Sequence, residues 1–415
     1  MTGDASPQVE GEELPEGWKW TRIGTHYAFK NGLNKAKRFF GQGTPIINYM
    51  DVYGNQRLSA ADVRGKVTVT NDEADAYSVS QGDAFFTRTS ETVSEIGYSA
   101  VLLEPIQRAV FSGFVLRGRP KNKELLPEYA AYALRARDVR KQIESRATYT
   151  TRALTNGGSL SECTFPLPPE PEQKRIAQAL SDIDDLIASL DALIAKKRDI
   201  KQGAMQQLLT GKSRLPGFSG EWDVRPLLAG LSQRATYGIV KAGQFQDSGI
   251  YMLRGGDIRD GRIVEIPPFV SFEKSQEFSR TVLNNNDVVI SLVGYPGECA
   301  VVPEWLIGGN ISRAVGLLRP NSSLASDFLA CYLNSPVGRG VFLTPSAGSA
   351  QLVVNLNDLN KMPMPFPSID EQMAIANAMT AFSNELSELE RRRSKIAELR
   401  QGMMQQLLTG RIRLV

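Results

Sequence analysis

The sequence is poor in the side chains that carry most enzyme chemistry near neutral pH. It holds one histidine, His26, in 415 residues. A single histidine excludes two-histidine metal motifs such as HExxH and any imidazole relay. The three cysteines, Cys163, Cys299 and Cys331, are odd in number and far apart. They argue against a disulfide framework or a zinc knuckle and fit a reducing compartment. No apolar run approaches the roughly 20 residues needed to span a bilayer. The opening MTGDASPQVEGEELPEG is polar and acidic, unlike a secretory leader. The expectation is a cytoplasmic chain with no membrane partner. Net charge is only +3, so the overall balance does not point to nucleic acid. A composition of 42% hydrophobic and 22% charged residues excludes a disordered or collagen-like chain. At roughly 150 residues per domain, the length suggests two or three domains.

What the chain does have is an internal repeat. Residues 172–215 align without a gap with residues 371–414, and the closing QGxMQQLLTG is the same in both copies. Each copy follows a proline-rich lead, TFPLPPEPEQ in the first and MPMPFPSIDEQ in the second. The preceding segments correspond more loosely: LPEGWKW is echoed by LPGFSGEW, SVSQGDAFFT by VLNNNDVVIS, and VLRGRP by GLLRP. The chain therefore reads as globular, helix, globular, helix. It is a tandem duplication of a unit about 200 residues long, unlike solenoids, whose periods run about 20–50 residues.

The duplicated stretches carry a heptad seam. Ile176, Leu180, Ile183, Ile187, Leu190 and Ile194 alternate in steps of four and three. The second copy matches with Ile375, Met379, Phe382, Leu386 and Leu389, then Arg393 at the sixth position, and Ile396 is assigned to the same seam. Pro171 suits a first helical turn, Glu172 and Glu371 sit where the dipole favours acids, and Gly211 and Gly410 suit C-terminal stops. Each helix should be on the order of 55 Å long. A lone helix would leave its apolar stripe in water, so the nearest partner is its own repeat, packed antiparallel about a pseudo-twofold axis. The alternative is two surface helices, each packed on its own domain. The globular segments look strand-rich, with strands expected at 65–70, 83–87, 109–118, 287–294 and 314–320 and helices at 127–145 and 325–342. The expected fold is mixed α/β (α+β): two globular domains, 1–166 and 213–366, and two helices, 167–212 and 367–415.

No catalytic constellation emerges. TGKS at 210–213 resembles the end of a phosphate-binding loop, but Gln206 stands where the first glycine belongs and a helix precedes it. IPPF at 266–269 resembles a methyltransferase NPPY-type motif with Ile in place of the polar residue. GYPGE at 294–298 lacks a nucleophile, and His26 beside Tyr27 and Phe29 reads as a packed or surface residue. Local charge is more informative. Lys19, Arg22, Lys30, Lys35, Lys37 and Arg38 form one acid-free run, and Arg108, Arg117, Arg119, Lys121 and Lys123 form another. Arg135, Arg137, Arg140, Lys141, Arg146 and Arg152 form a third, diluted run. Such runs suit phosphate contacts, and also suit ordinary solvated surface. The second domain is thinner in charge, with Arg254 and Arg313 among its cations, and its polar loop SAGSAQLVVN occupies the place of SRATYTTRALTN in the first.

This layout resembles the specificity (S) subunit of type I restriction–modification systems, over nearly the whole chain. The resemblance rests on two variable domains alternating with two near-identical helices, each led by a PLPPxxEQ-like stretch and closed by QQLLTG, the first running on into LPGFSGEW. It implies that each domain is a target recognition domain reading one half of a bipartite, asymmetric double-stranded DNA site. It implies that the helices form an antiparallel coiled coil that sets the spacing and docks two modification (M) subunits. Restriction (R) subunits would complete an ATP-dependent nuclease. It further implies no cofactor on this chain, with S-adenosylmethionine and ATP/Mg on the partners, and no catalysis by the chain itself. Half-sites one helical turn apart need readers about 34 Å apart on one face of the duplex. The DNA-contact candidates are Lys30, Lys35, Lys37, Arg38, Arg88, Thr89, Arg117, Arg119, Tyr149, Thr151 and Arg152 in the first domain. In the second they are Arg254, Tyr295, Arg313, Ser349 and Gln351. The competing function is a non-catalytic scaffold whose coiled coil joins two protein-binding domains.

Overall fold

The structure is a computed structural model and describes residues 13–149, 151–345 and 352–415. The duplicated stretches form two 39-residue helices, α1 (Glu170–Leu208) and α2 (Ile369–Leu407). Acids occupy both first turns, where the dipole favours them. Both helices stop at a left-handed glycine, Gly211 at φ +70° and Gly410 at φ +75°. The N–H of Ser213 then closes onto the Gln207 carbonyl at 3.2 Å, and that of Ile412 onto Gln406 at 3.2 Å. The TGKS stretch is thus a helix stop.

The chain forms two compact units, residues 1–190 with 392–415, and residues 191–391. Each unit takes one globular segment, the first half of the helix that follows it, and the second half of the other helix. The boundaries read from the repeat, at 166, 212 and 366, follow sequence likeness; the compact units instead divide each long helix near its middle.

In the first unit a five-stranded sheet runs in the order Tyr27–Asn31, Val115–Pro120, Ala84–Thr87, Ser99–Leu102, Arg57–Leu58. It is antiparallel except for the last pair. A second sheet joins Lys66–Val67, Phe40–Ile47 and Val110–Phe111, and an edge ribbon pairs Lys19–Arg22 with Thr164–Leu167. The second unit repeats the plan. Its main sheet runs Thr236–Tyr237, Val315–Leu318, Val288–Ser291, Cys299–Val301, and its second sheet Phe269–Val270, Ile250–Leu253, Asn310–Ile311. Its edge ribbon pairs Asp223–Pro226 with Pro363–Phe366. Equivalent ion pairs on buried aspartates brace both: Arg119 grips both oxygens of Asp83, and Arg319 both oxygens of Asp287.

Three expected elements are each split. The strand expected at 109–118 divides into Val110–Phe111 and Val115–Pro120, which serve different sheets. A turn in which the Val115 N–H bonds the Ser112 carbonyl separates them. The helix expected at 127–145 breaks at the extended residue Ala136 into Pro127–Ala133 and Arg137–Ser145. In the second unit the corresponding break has a sequence cause: Ser335 caps a new helix that starts at Pro336.

The long helices pair antiparallel within each unit. In the first, Glu172 of α1 meets Arg413 beyond α2, and Asp184 meets Arg400. In the second, Lys197 meets Glu385 at 2.7 Å and Lys201 meets Ser383 at 2.8 Å. Ile176, Leu180, Leu190, Ile194, Ile375, Met379 and Leu386 are buried. Ile183, Ile187, Phe382, Leu389 and Ile396 are partly buried. The helix ends merge into the globular cores. Ile176 and Leu180 pack with Tyr129, Phe165 and Leu407, while Ile375 and Met379 pack with Phe328, Phe366 and Leu209.

The identical residues of the repeat have a common task. Glu172 is 3% exposed and accepts from the Trp18 indole at 2.9 Å and from Arg413 Nε and Nη2 at 2.7 and 2.8 Å. Glu371 accepts from Trp222 at 3.1 Å and from Arg214 Nε and Nη2 at 2.5 and 2.6 Å. Each guanidinium also lies over the tryptophan ring. The next residues, Gln173 and Gln372, are buried and satisfy backbone groups: Gln173 accepts from the Leu126 N–H and donates to the Glu124 and Pro168 carbonyls. Gln372 does the same with Ala325, Ser323 and Pro367. The EQ that opens each helix and the GxxRL that follows it thus form two equivalent clasps. In the second unit one continuous stretch, 211–222, supplies glycine, arginine and tryptophan. In the first unit residues 410–413 supply the glycine and arginine, and Trp18 the indole.

Burial by itself would raise the Glu172 carboxyl, but Arg413, the Trp18 indole and the Leu414 N–H together hold it below its ordinary 4.5. A depressed carboxylate stabilises the fold above the unfolded-state pKa, and that contribution is lost as pH falls through the folded value. The stability gap between wild type and Glu172→Gln is therefore expected to be full at pH 7 and to shrink below pH 4.5. Urea unfolding of both proteins across that range checks it, and a gap that stays constant to pH 3, about one unit below the ordinary glutamate range, would contradict it.

Candidate nucleic-acid interface

In the first unit a small sheet joins Thr148–Tyr149, Ala153–Leu154 and Thr89–Ser90. It brings five sequence candidates together: Arg88, Thr89, Tyr149, Thr151 and Arg152. Tyr149 is 60% exposed, and Thr151 and Arg152 are exposed. Arg88 is tied into the fold through its backbone, its N–H bonding the Phe114 carbonyl and its carbonyl accepting from the Thr155 N–H. That register delivers Phe114, 61% exposed, to the same edge. The helix Tyr49–Gly54 closes the cluster, started by a capping box between Asn48 and Asp51.

Behind this edge runs an aromatic ladder. Tyr49 stacks on Tyr53 at 5.8 Å, Tyr53 contacts Tyr98 at 5.2 Å, and Tyr98 lies against the Arg140 and Arg135 guanidiniums. The Tyr53 hydroxyl donates to Glu95, and this hydrogen bond raises the phenol above its ordinary pKa, so it stays protonated and donating at neutral pH. Arg135 is an interior residue. It donates to the carbonyls of Ser99, Val52 and Asn55, and burial lowers it to about 10.

The other candidates of the first unit divide. Lys37 and Arg38 are exposed on the turn before Phe40–Ile47. Lys30 donates to the Ala76 carbonyl, and Lys35 pairs with Glu73 at 2.7 Å while covering the Phe39 ring. Two candidates need correction. Arg117 is 7% exposed, lies over the Phe111 ring and donates to the Ser78 carbonyl. Arg119 is held by Asp83. Arg117 belongs to the sheet interior, while Arg119 stays about one-third exposed with its guanidinium committed to Asp83, a partner 36 positions away that the acid-free run concealed.

In the second unit the backbone at Gly255 packs so tightly that a Cβ would lie 2.1 Å from the Val293 carbonyl and 3.0 Å from that of Ala314. Three loops therefore converge, carrying Arg254, Tyr295 and Arg313. Arg313 is exposed, and Tyr295, 43% exposed, lies under the Arg259 guanidinium at 4.2 Å. Arg254 is engaged in the fold: its guanidinium and its backbone N–H both donate to the buried carboxylate of Asp257. Ser349 and Gln351 lie outside the described residues.

The remaining chemical suspects are structural. His26 is 1% exposed, between Thr21 at 2.8 Å and Asn122 at 3.1 Å, and burial lowers its pKa. Burial pushes the Cys163 and Cys331 thiols up to about 11, which keeps them protonated at neutral pH. Among the described residues no cluster could hold a metal ion, and no helix is long and apolar enough to cross a membrane. A groove of about 580 Å³ in the first unit is lined by Trp20, Arg22, Gln142 and Leu408, and none of the loop candidates faces it.

Two repeats of one scaffold, each presenting polar and aromatic side chains on converging loops, define a duplicated recognition protein. The family model described as the type I restriction modification DNA specificity domain matches residues 26–196 and again 236–399, and the chain belongs to this family. It is similar to the type I restriction enzyme MjaVIII specificity subunit of Methanocaldococcus jannaschii, 22% identical over 422 residues, covering 98% of this chain and 95% of that one. Its fold is similar to the S subunit of the type I restriction–modification system from M. genitalium, with TM-score 0.58 at 15% identity, covering 96% of this chain and 98% of that one. A second solved structure, from work on complex assembly and conformational transition of the type I R-M system, has TM-score 0.61 at 18% identity and covers 97% of this chain and 100% of that one.

Proposed function

We propose that this chain chooses the DNA site for a type I restriction–modification assembly, each unit reading one half of a bipartite, asymmetric site. The observation that carries this is a contrast between scaffold and loops. The clasps and the Arg–Asp pairs at Asp83 and Asp287 recur in both units. At the loops, Tyr49, Tyr53 and Phe114 of the first unit correspond to Gly255, Arg259 and Ala314 of the second, counted from the matching parallel pairs Ile47–Phe111 and Leu253–Ile311. Equal supports with unequal reading surfaces suit two different half-sites.

The chain itself is non-catalytic in this reading. Methyl transfer to adenine from S-adenosylmethionine belongs to two M subunits, and ATP/Mg-dependent cleavage to R subunits, in the cytoplasm. The long helices are the docking surface for the M subunits. Leu186, Leu193 and Ile200 recur every seven residues on α1 with their side chains 38–43% exposed, which supports an apolar contact there. The small net charge implies that the partners add phosphate contacts, so the isolated chain should bind its site more weakly than the complex does; equal affinities in fluorescence anisotropy would contradict this.

The test is co-expression with the M subunit followed by methylome sequencing. The expected result is a bipartite adenine-methylated motif that disappears when this gene is deleted. Methylation that persists without the chain, or failure of the M subunit to bind it, would support the scaffold alternative.

A further inference from the structure

The loop cluster of the first unit encloses a cleft of about 320 Å³, lined by Tyr49, Thr89, Ser90, Glu91, Glu95, Phe114 and Arg152. Its chemistry is unusual for a surface that meets DNA, because two carboxylates line it. A carboxylate is repelled by phosphate and gains nothing from the backbone, but it accepts hydrogen bonds from base amino groups in the major groove. Glu95 is also oriented. Its Oε1 accepts from the Tyr53 hydroxyl at 3.1 Å and its Oε2 from Ser90 Oγ at 3.1 Å. Each oxygen keeps a lone-pair site free, so the group is a fixed acceptor rather than a swinging side chain. Tyr53 in turn rests on Tyr98, and Tyr49, stacked on Tyr53, forms one wall of the cleft. Phe114 forms an exposed wall, and Arg152, on the turn between Thr148–Tyr149 and Ala153–Leu154, provides the cation. At the register-equivalent places the second unit carries Gly255, Arg259 and Ala314 in place of Tyr49, Tyr53 and Phe114.

We propose that this cleft is the base-reading subsite of the first unit, in which Glu95 accepts the exocyclic amino group of a cytosine or adenine. Tyr49 and Phe114 bracket the base edge, and Arg152 contacts the adjoining phosphate. The proposal rests on the DNA-specificity reading above and names where that reading happens in one half.

The test uses the full chain assembled with its M subunits, comparing wild type with Glu95→Gln, Tyr53→Phe, Phe114→Ala and Arg152→Ala. Methylome sequencing gives the motif, and anisotropy on duplexes varied one base pair at a time gives the discrimination. Glu95→Gln is expected to lose roughly tenfold or more of the preference at one position of one half-site, leaving the other half intact. Tyr53→Phe, which frees one carboxylate oxygen, should weaken the same position less. Arg152→Ala should lower affinity evenly across sequences. Phe114 is exposed and makes no core contact, so Phe114→Ala serves if Glu95→Gln does not assemble. If Glu95→Gln and Phe114→Ala both keep the wild-type preference at every position, the cleft is not the subsite. If the wild-type complex shows no bipartite motif at all, the specificity reading itself fails, and the proposal with it.

Discussion

Glu172→Ala is expected to destabilise the first unit by about 1–3 kcal/mol, the range for leaving a buried donor without its acceptor. Three groups lose their acceptor at once: the Trp18 indole, the Arg413 guanidinium and the Leu414 N–H. Arg413 is 28% exposed at its side chain, so it can turn to water, whereas the buried indole cannot. Arg413→Ala is the harsher half in another sense, since it leaves a carboxylate 3% exposed without its counter-ion. The two single variants should therefore be strongly non-additive, the double variant costing little more than either one. Urea unfolding followed by circular dichroism measures all three. A loss below about 1 kcal/mol for Glu172→Ala, the scale of a surface pair, would mean that the clasp contributes no more than an exposed salt bridge. Glu371→Ala should act in the same way on the second unit through Trp222 and Arg214.

Leu190→Arg is the second large effect. Leu190 is 6% exposed on the protected stripe of α1, with Ile187 and Ile194 as its neighbours along the seam. Loss of the leucine costs about 2–5 kcal/mol as a large-to-small core change. The guanidinium adds a desolvation penalty unless it reaches the surface. The seam should open at this point, lowering the thermal midpoint and the yield of complex with M subunits. Leu186→Arg, four residues earlier on the exposed side, should leave the midpoint unchanged. Because Leu186 belongs to the exposed apolar row, its variant too should lose complex, so the midpoint is the discriminating readout, and equal midpoints for the two variants would contradict the seam.

Much of this arrangement is legible in the sequence because it repeats. A period of four and three over six positions specifies a paired helix, and the glycines of LTG specify its end. The runs at 287–294 and 314–320, rich in β-branched residues and bounded by turn residues, specify strands that do form. What periodicity could not show is the partner of each identical residue. Glu172 reads as a dipole-complementing acid, yet its partner Arg413 lies 241 positions away. The signal was present in the repeat itself, since Glu, Arg and Trp recur together at 172, 413 and 18 and at 371, 214 and 222.

The loops were legible only in part. Arg88, Thr89, Tyr149, Thr151 and Arg152 meet because two distant segments pair as strands. Glu95, Tyr49 and Phe114 carry no distinctive spacing, and only the turn at Ser112 and the capping box at Asn48 bring them to the same edge. Cation runs misled at Arg117, which is buried in its strand, and at Arg119, whose guanidinium is taken up by the buried Asp83. Sequence gives charge, but burial decides whether that charge can meet a phosphate.

The central claim is that each unit reads its own half of an asymmetric site. The most direct measurement replaces residues 1–166 with those of another member of the family, within the complete complex, and compares the methylated motifs. The account predicts that one half of the motif changes to that of the donor while the other half stays as it was. A motif changed in both halves, or in neither, would contradict it.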